Sequence, residues 1–451
     1  MREYTNRRNP LLPTDIHVPD AEAHVMPDGR LYLYGSYDLR EEVFCSTEYH
    51  VVSTPDLCHW TVHDTAMRGE DISWFNNPDA PHYPGIDWTH PTPFIQKQLS
   101  DAIARGEDPR RAFEEAAKKE KPPLLFAPDC ICRNGRYYLY FCMTDDSEGV
   151  AVSDQPYGPF TNPVQLPCGG IDPAVFADDD GAVYYYWGQL FSHGVRLNPD
   201  MVSFDPTQVR DNLVTEESHF FHEGSSMRKI GDTYYYVFAD MERGKPTSLG
   251  YATGPSPLGP FTYRGILIDN DGCDPQAWNN HGSIESFQGQ WYVFYHRASR
   301  NAQMHRRLCA EKIEIREDGS IPEVKMTSQG IGAPFAPGEA VMGYQACGLT
   351  GKCYIGPTAG ADSDEVLTGI TDGDEAVFRY VRSTEAYTQL LLSAQGSGTV
   401  EVWMNEKKAG RIRVTDGLQE NFEIAIDPGE YEVRLRFTDP ADFRIRQFVL
   451  L

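Results

Sequence analysis

Five segments of the chain share one pattern, a small polar turn with glycine followed by an alternating aromatic and aliphatic run. Asp-Gly and Asn-Gly dipeptides are strong hairpin signals, and runs rich in Tyr, Val and Trp favour strands. The pattern therefore predicts five hairpins of one repeated architecture. The segments are 28–35, 134–141, 180–187, 231–238 and 288–295.

The spacing of the repeats gives the architecture. The turn glycines Gly135, Gly181, Gly231 and Gly289 are 46, 50 and 58 residues apart, which is the length of a four-stranded propeller blade. Gly29 precedes Gly135 by 106 residues, so a blade and extra material lie between them. We expect an all-β fold that begins with a five-bladed β-propeller, the alternative being unrelated hairpins in a sandwich.

The extra material lies at 66–122 and is expected to form a partly helical insertion in blade one. Its first part is rich in aromatic residues and proline, and its second part, 94–120, has a helical pattern broken at 106–109. Such an insertion shapes the pocket, contacts another copy in a homo-oligomer, or only decorates the surface.

The repeats stop after Pro322, and a Gly- and Pro-rich linker occupies 329–341. Alternating strands with new turns then fill 342–451. We therefore predict a propeller domain over 1–328 and a C-terminal jelly-roll-like β-sandwich over 342–451.

The charge narrows the classes of partner. The chain has 40 basic and 66 acidic residues, a formal net charge of −26, so it repels nucleic acid and anionic membranes. The alternative is that the negative charge only keeps the protein soluble. The ten scattered cysteines without a CxxC motif, and an N-terminus without an apolar run, predict a cytoplasmic protein with reduced thiols. The 12% aromatic content suits surfaces that stack on sugar rings.

Three carboxylates occupy equivalent places in the repeats. Asp20, Asp172 and Glu223 each lie 8 or 9 residues before the turn glycine of their blade, with Asp129 and His281 at the corresponding places in blades two and five. The innermost strands of a propeller line its axis, so these side chains should converge there. Converging acids push their pKa values apart, which is what paired acid and base catalysis of glycoside hydrolysis needs. The alternative for each aspartate is a turn-starting role.

The sequence resembles glycoside hydrolase family 43 over roughly residues 8–325. The likeness rests on Asn9-Pro-Leu-Leu-Pro, Pro19-Asp20, Phe126-Ala-Pro-Asp129, Ile171-Asp172-Pro, His222-Glu223-Gly and Asn280-His281-Gly-Ser. The resemblance implies that Asp20 is the general base, that Glu223 is the general acid, and that Asp172 sets the pKa and orientation of the acid. It also implies inversion at the anomeric carbon and a calcium ion on the propeller axis near His281, which is both the metal candidate and a substrate-binding candidate.

Four further residues are candidates for substrate binding. Asp129, His24, Arg297 and Trp74 could each face the pocket, and each also has a packing or surface interpretation. Trp88 has the same two interpretations as Trp74. Glu22 is a rival base, because Asp20 is followed by Ala21-Glu22 where the family usually has proline.

The function expected from this resemblance is that of an exo-acting, inverting β-xylosidase or α-L-arabinofuranosidase that acts on oligosaccharides from plant polysaccharides. An exo-β-galactosidase, a retaining fructosidase on the same fold, and a non-catalytic carbohydrate-binding protein are the alternatives. The segment 429–437 is similar to a family 6 carbohydrate-binding module, so the C-terminal domain either binds sugar or only buttresses the propeller.

Overall fold

A computed structural model describes residues 1–83, 85, 92–108, 121–358, 361–384, 386–415 and 420–451. Trp88 and most of the second half of the predicted helical segment lie outside these residues. None of the described helices is long and apolar enough to cross a membrane. All ten cysteines are free thiols.

The five repeats form the five blades of a propeller, as predicted. Blade one contains β1 (Arg2–Thr5), β2 (Glu22–Val25), β3 (Leu31–Tyr34), β4 (Glu48–Thr54) and β5 (His59–Arg68). Blade two contains β6 (Leu125–Arg133), β7 (Arg136–Met143), β8 (Ser147–Ser153) and β9 (Thr161–Gly169). Blade three contains β10 (Ala174–Ala177), β11 (Val183–Trp187), β12 (Phe191–Arg196) and β13 (Arg210–Thr215).

The remaining blades close the ring. Blade four contains β14 (Phe221–Ile230), β15 (Thr233–Asp240), β16 (Ser248–Gly254) and β17 (Thr262–Asp269). Blade five contains β18 (Ser283–Phe287), β19 (Gln290–Ser299) and β20 (Ala302–Ile313). A parallel bridge between Ala21 and Gly282 joins blade five to blade one.

The aromatic repeat is the second strand of each blade when the innermost strand is counted as the first. Its side chains fill the spaces between neighbouring blades, where Tyr185 and Tyr236 are fully buried. The preceding turns need glycine for their backbone rather than for space, since Gly135 has φ +77° and nothing lies within 4 Å of a Cβ built there. The repeated dipeptide thus sets each hairpin, and the aromatic run supplies the core between blades.

The insertion follows β5 and precedes β6, so it connects blades one and two. Helix α1 (Pro93–Ala104) begins at Thr92, whose Oγ1 accepts a hydrogen bond from the backbone N–H of Ile95 at 3.1 Å. Ile95 packs against Leu190 and Phe191 of blade three. The insertion therefore supports the loop between β11 and β12. A short helix, α2 (Glu216–His219), precedes blade four.

The C-terminal domain is one curled antiparallel sheet whose layers enclose a separate core. Its strands are β21 (Ala340–Met342), β22 (Gly348–Thr350), β23 (Tyr354–Thr358), β24 (Ala361–Thr368), β25 (Glu375–Ser383), β26 (Tyr387–Met404), β27 (Lys407–Val414), β28 (Glu420–Ala425) and β29 (Gly429–Leu450). The long strands β26 and β29 pair along their length through register shifts. Gly396 lies at this bend, where a Cβ would lie 2.3 Å from the Asp442 carbonyl oxygen.

Candidate active site

A cavity of about 330 Å³ is lined by residues of all five blades. Asp20, Asp172, Glu223 and His281 meet in it, as the repeat positions predicted. The other lining residues are Phe44, Cys45, Phe126, Ala127, Ile171, Gln189, His222, Trp278, Asn279 and Arg306. Four sequence candidates from three different blades and the segment before blade five therefore share one site.

Local backbone geometry turns the two aspartates out of their strands. Asp20 precedes β2 with φ 58°, and Asp172 precedes β10 with φ 56°. Aspartate tolerates this left-handed region better than most residues, and such conformations concentrate at functional sites. In blade four, a register shift of β14 around Glu223 turns this side chain out of the regular strand in the same way.

Asp20 is surrounded by positive and hydrogen-bonding groups. Arg306 Nη1 donates to Oδ1 at 2.8 Å, Ser36 Oγ donates to Oδ2 at 2.7 Å, and His296 Nδ1 lies 3.2 Å from Oδ1. Burial alone would raise the pKa of Asp20, but Arg306 and His296 outweigh it and hold the pKa well below its usual range. Asp20 is therefore an ionised carboxylate, which is the charge state that a general base needs.

Asp172 has the opposite environment. Burial, followed by the negative charges of Glu223 and Asp20, raises the pKa of Asp172 well above its usual value. His281 Nδ1 lies between the two aspartates, 3.7 Å from Asp172 Oδ2 and 3.9 Å from Asp20 Oδ1. One cavity thus holds a carboxylate that favours the charged form and a carboxyl that favours the protonated form.

Glu223 reaches further into the cavity than the two aspartates. Its side chain is 14% exposed, compared with 5% for Asp20 and 9% for Asp172. Gln189 Nε2 donates to Glu223 Oε2 at 2.7 Å and orients the carboxyl. Gln189 adjoins Leu190, which packs on helix α1, so the insertion indirectly supports this contact.

Glu22, the rival base, does not line this cavity. Its Oε1 is 2.7 Å from Arg228 Nη2 and accepts a hydrogen bond from Ser226 Oγ at 3.0 Å. It lies further along the inner strands, where its charge is already paired. The geometry therefore favours Asp20 over Glu22 as the base.

His24 and Asp129 lie with Glu22 and not among the residues lining the cavity. His24 Nε2 is 2.7 Å from Asp129 Oδ1, and Asp129 Oδ2 accepts the backbone N–H of Val175 at 2.7 Å. Burial lowers the pKa of His24, but the Asp129 charge reverses this and the net shift is upward. Their predicted substrate contacts are thus replaced by contacts to each other.

Arg297 and Trp74 also lie away from the cavity, contrary to the pocket role considered for them. Arg297 is buried and donates to the Tyr295 hydroxyl at 2.6 Å and to the Thr327 carbonyl at 2.7 Å. Trp74 packs against Phe141 in the core between blades one and two and donates to Ser147 Oγ at 3.1 Å. Both are explained by packing.

Sequence reasoning missed Arg306, Trp278 and Gln189. Neighbouring residues of a strand point to opposite faces, so the β19–β20 register was needed to tell which arginine faces Asp20. That register pairs Arg297 with Arg307 and leaves Arg306 to the cavity. Trp278 is 41% exposed beside the carboxylates, and its place just before the Asn-His-Gly-Ser motif was an available signal.

Among the described residues one group has metal-ligand spacing, since ligand atoms of Glu22, His24 and Asp129 lie within 4.8 Å of one another. Calcium takes six to eight oxygen ligands. Here Arg228 already neutralises Glu22, and both Asp129 oxygens accept hydrogen bonds. The group fits a closed network of charged hydrogen bonds and does not fit a calcium ion.

Three comparisons with known proteins identify the family of this chain. The family "Glycosyl hydrolases family 43" matches residues 104–321. A "Xylosidase/arabinosidase" of Thermoclostridium stercorarium is 31% identical, over 76% of this chain and 72% of that protein. A "Beta-xylosidase" of Xylanibacter ruminicola is 30% identical, over 70% of this chain and 98% of that protein.

Solved structures extend the likeness. A family 43 β-xylosidase/α-arabinofuranosidase from a compost metagenome, in complex with xylotriose and described as calcium-free, has a TM-score of 0.54 and 26% identity, covering 72% of this chain and 99% of that chain. A Bacillus subtilis arabinoxylan arabinofuranohydrolase shares the fold over 98% of this chain and 97% of its own, with a TM-score of 0.53 and 23% identity. The chain belongs to glycoside hydrolase family 43 and is a glycosidase.

Proposed function

We propose that the protein is an exo-acting, inverting glycosidase that removes terminal α-L-arabinofuranosyl or β-D-xylosyl residues from oligosaccharides of plant origin. The observation that carries this proposal is the opposite charge environment of Asp20 and Asp172 in one cavity with Glu223. A volume of about 330 Å³ is at the small end of ligand sites, which suits a terminal sugar better than a long chain. Relatives named xylosidase/arabinosidase support the sugar class.

Each carboxyl group has one role in this proposal. Glu223, held by Gln189, gives its proton to the leaving oxygen as the glycosidic bond breaks. Asp20, kept ionised by Arg306, takes a proton from the water that bonds to the anomeric carbon from the opposite face. Asp172, whose pKa is raised beside Glu223, keeps a proton close to the acid and orients it.

Replacement of Glu223 tests the acid assignment. In Glu223→Gln we expect a large loss of kcat on an unactivated oligosaccharide and a smaller loss on a nitrophenyl glycoside, because nitrophenolate leaves without protonation. Near-wild-type turnover of the oligosaccharide by this variant would contradict the assignment. Proton NMR of the first anomer released separates inversion from the retaining fructosidase mechanism, and a panel of nitrophenyl glycosides identifies the sugar.

An axial calcium beside His281 stays part of the proposal as a structural ion. His281 Nδ1 lies 3.7 Å from Asp172 Oδ2 and 3.9 Å from Asp20 Oδ1. Dialysis against a chelator, followed by metal analysis and thermal unfolding, tests it. A bound structural calcium predicts stoichiometric metal and a lower Tm after chelation, and metal-free protein with unchanged Tm would contradict it.

A further inference from the structure

The C-terminal domain inserts one buried carboxylate into the propeller. Glu365 of β24 has a fully buried side chain and accepts from Arg300 Nε at 2.8 Å. Its other oxygen forms an ion pair with Arg307. Both arginines belong to blade five, Arg300 at the β19–β20 turn and Arg307 within β20. Glu365 therefore joins the two domains through the hairpin that ends the propeller.

This hairpin also carries the arginine of the active site. Arg306 and Arg307 are neighbours in β20, so their side chains leave opposite faces of the strand. Arg306 donates to Asp20 and to Asp38, while Arg307 meets Glu365. Because Glu365 holds Arg307 on one face of β20, it also restrains the position of the Arg306 guanidinium on the other face.

Further contacts of the C-terminal domain reach the same region. The Arg300 backbone N–H donates to the Ile355 carbonyl at 2.7 Å, and the Leu349 N–H donates to the Gly272 carbonyl at 2.5 Å. Gly272 belongs to the loop that leads to Trp278 and His281. The domain therefore supports two segments that line the cavity, and Glu365 is the buried charge among these contacts.

Other described groups near the two arginines are two histidines, one buried aspartate and one exposed glutamate. His17 and His305 pack against each other with ring centroids 3.6 Å apart, and burial together with the arginine charges lowers the pKa of His305 to about 3. Asp274 binds the backbone N–H groups of Gln276 and Asn301. Glu41 is 46% exposed and lies 3.5 Å from Arg300.

We propose that Glu365 is a positioning residue for hydrolysis, which holds β20 through Arg307 and Arg300 so that Arg306 stays against Asp20. This inference rests on the proposed function, in which Asp20 is the base. If Glu365 has this role, the C-terminal domain contributes to catalysis by positioning Arg306, whether or not that domain also binds sugar.

The test uses the full chain and compares Glu365→Gln with Glu365→Asp and Glu432→Gln. Glu432 is the matched control, because it also pairs with an arginine, Arg379, at 2.7 Å, and that arginine donates to the Met326 carbonyl, which lies after the end of β20. The measurements are kcat and KM per folded enzyme on a nitrophenyl glycoside and on an oligosaccharide. Circular dichroism at the assay temperature gives the folded fraction.

For Glu365→Gln we expect kcat to fall about 10-fold or more on both substrates, with KM nearly unchanged, because water attack is needed whichever group leaves. Glu365→Asp should recover part of this loss, and Glu432→Gln should match the wild type. Wild-type kcat per folded Glu365→Gln enzyme, or an equal loss in Glu432→Gln, would overturn the inference.

Glu365→Gln leaves Arg307 buried without its carboxylate and could therefore prevent folding, so a second variant is needed. Glu365→Gln/Arg307→Met removes the charge with its partner, and we expect it to fold with kcat still reduced. Wild-type kcat in this variant would also overturn the inference. Asp20→Asn is measured in parallel: an active Asp20→Asn enzyme contradicts the proposed base, whereas an inactive one with normal Glu365 variants contradicts only the positioning role.

Discussion

Two groups of acids and histidines lie on or next to the inner strands of this propeller, and their surroundings differ. Glu22, His24 and Asp129 form a closed network in which Arg228 and backbone N–H groups occupy the carboxylate oxygens. Asp20, Asp172 and Glu223 instead face a cavity. The same residue types are thus structural where they pack away from the cavity, and available for chemistry where they line a space that substrate can enter.

The largest difference should separate Asp20 from Glu22, two carboxylates on the same segment. Asp20→Asn removes the proposed base, so we expect kcat to fall by about 10³-fold or more. Glu22→Gln removes a paired charge outside the cavity and should retain kcat within a few-fold per folded enzyme. Activity measured against the folded fraction of each variant checks this, and the reverse order would make Glu22 the base.

The closed network of Glu22, His24, Asp129 and Arg228 should contribute to the stability of the fold. Arg228 pairs with Glu22 and with Glu285 at 3.1 Å. Arg228→Met leaves buried Glu22 and half-buried Glu285 without their cation, which should lower the free energy of unfolding by about 3–5 kcal/mol. Urea unfolding measures this, and Glu22→Gln/Arg228→Met should recover part of it. An unchanged unfolding midpoint in Arg228→Met would show that the network contributes little.

The fold could be predicted further from the sequence than the site could. Turn glycines and alternating strands are local signals, so the blades and the C-terminal strands were predictable, although the bends that keep β26 one continuous strand over Tyr387–Met404 were not. The positions of Asp20, Asp172 and Glu223 followed from the repeat. Arg306, Gln189 and Glu365 reach their partners through long-range register and domain docking, which spacing along the chain does not encode.

The pH dependence should sharpen the contrast between the two aspartates. In the proposed mechanism activity needs ionised Asp20, whose pKa is held well below the usual carboxyl value by Arg306, so the wild type should keep its base active in mild acid. Arg306→Met removes that charge while burial remains, so the pKa of Asp20 should rise and activity should be lost at a higher pH as the solution is acidified. At alkaline pH, loss of the proton held by Asp172, whose pKa is raised, should reduce activity in both enzymes. Profiles of kcat/KM against pH check this, and identical acidic limbs would contradict it.

The smallest change in kinetics should come from replacing Trp278, which lines the cavity and has no part in the closed network. Its ring is 41% exposed at a cavity of charged residues, and we expect this apolar face to stack on a sugar ring. Trp278→Ala should raise KM for an oligosaccharide about 5–10-fold and leave kcat nearly unchanged, because the ring lies outside the reacting carboxyls. Trp278→Phe should retain most of the affinity, and Trp74→Phe, a change in the core, should leave KM unchanged. If Trp278→Ala lowered kcat and left KM unchanged, the ring would act on the geometry of the reacting groups and not on substrate capture.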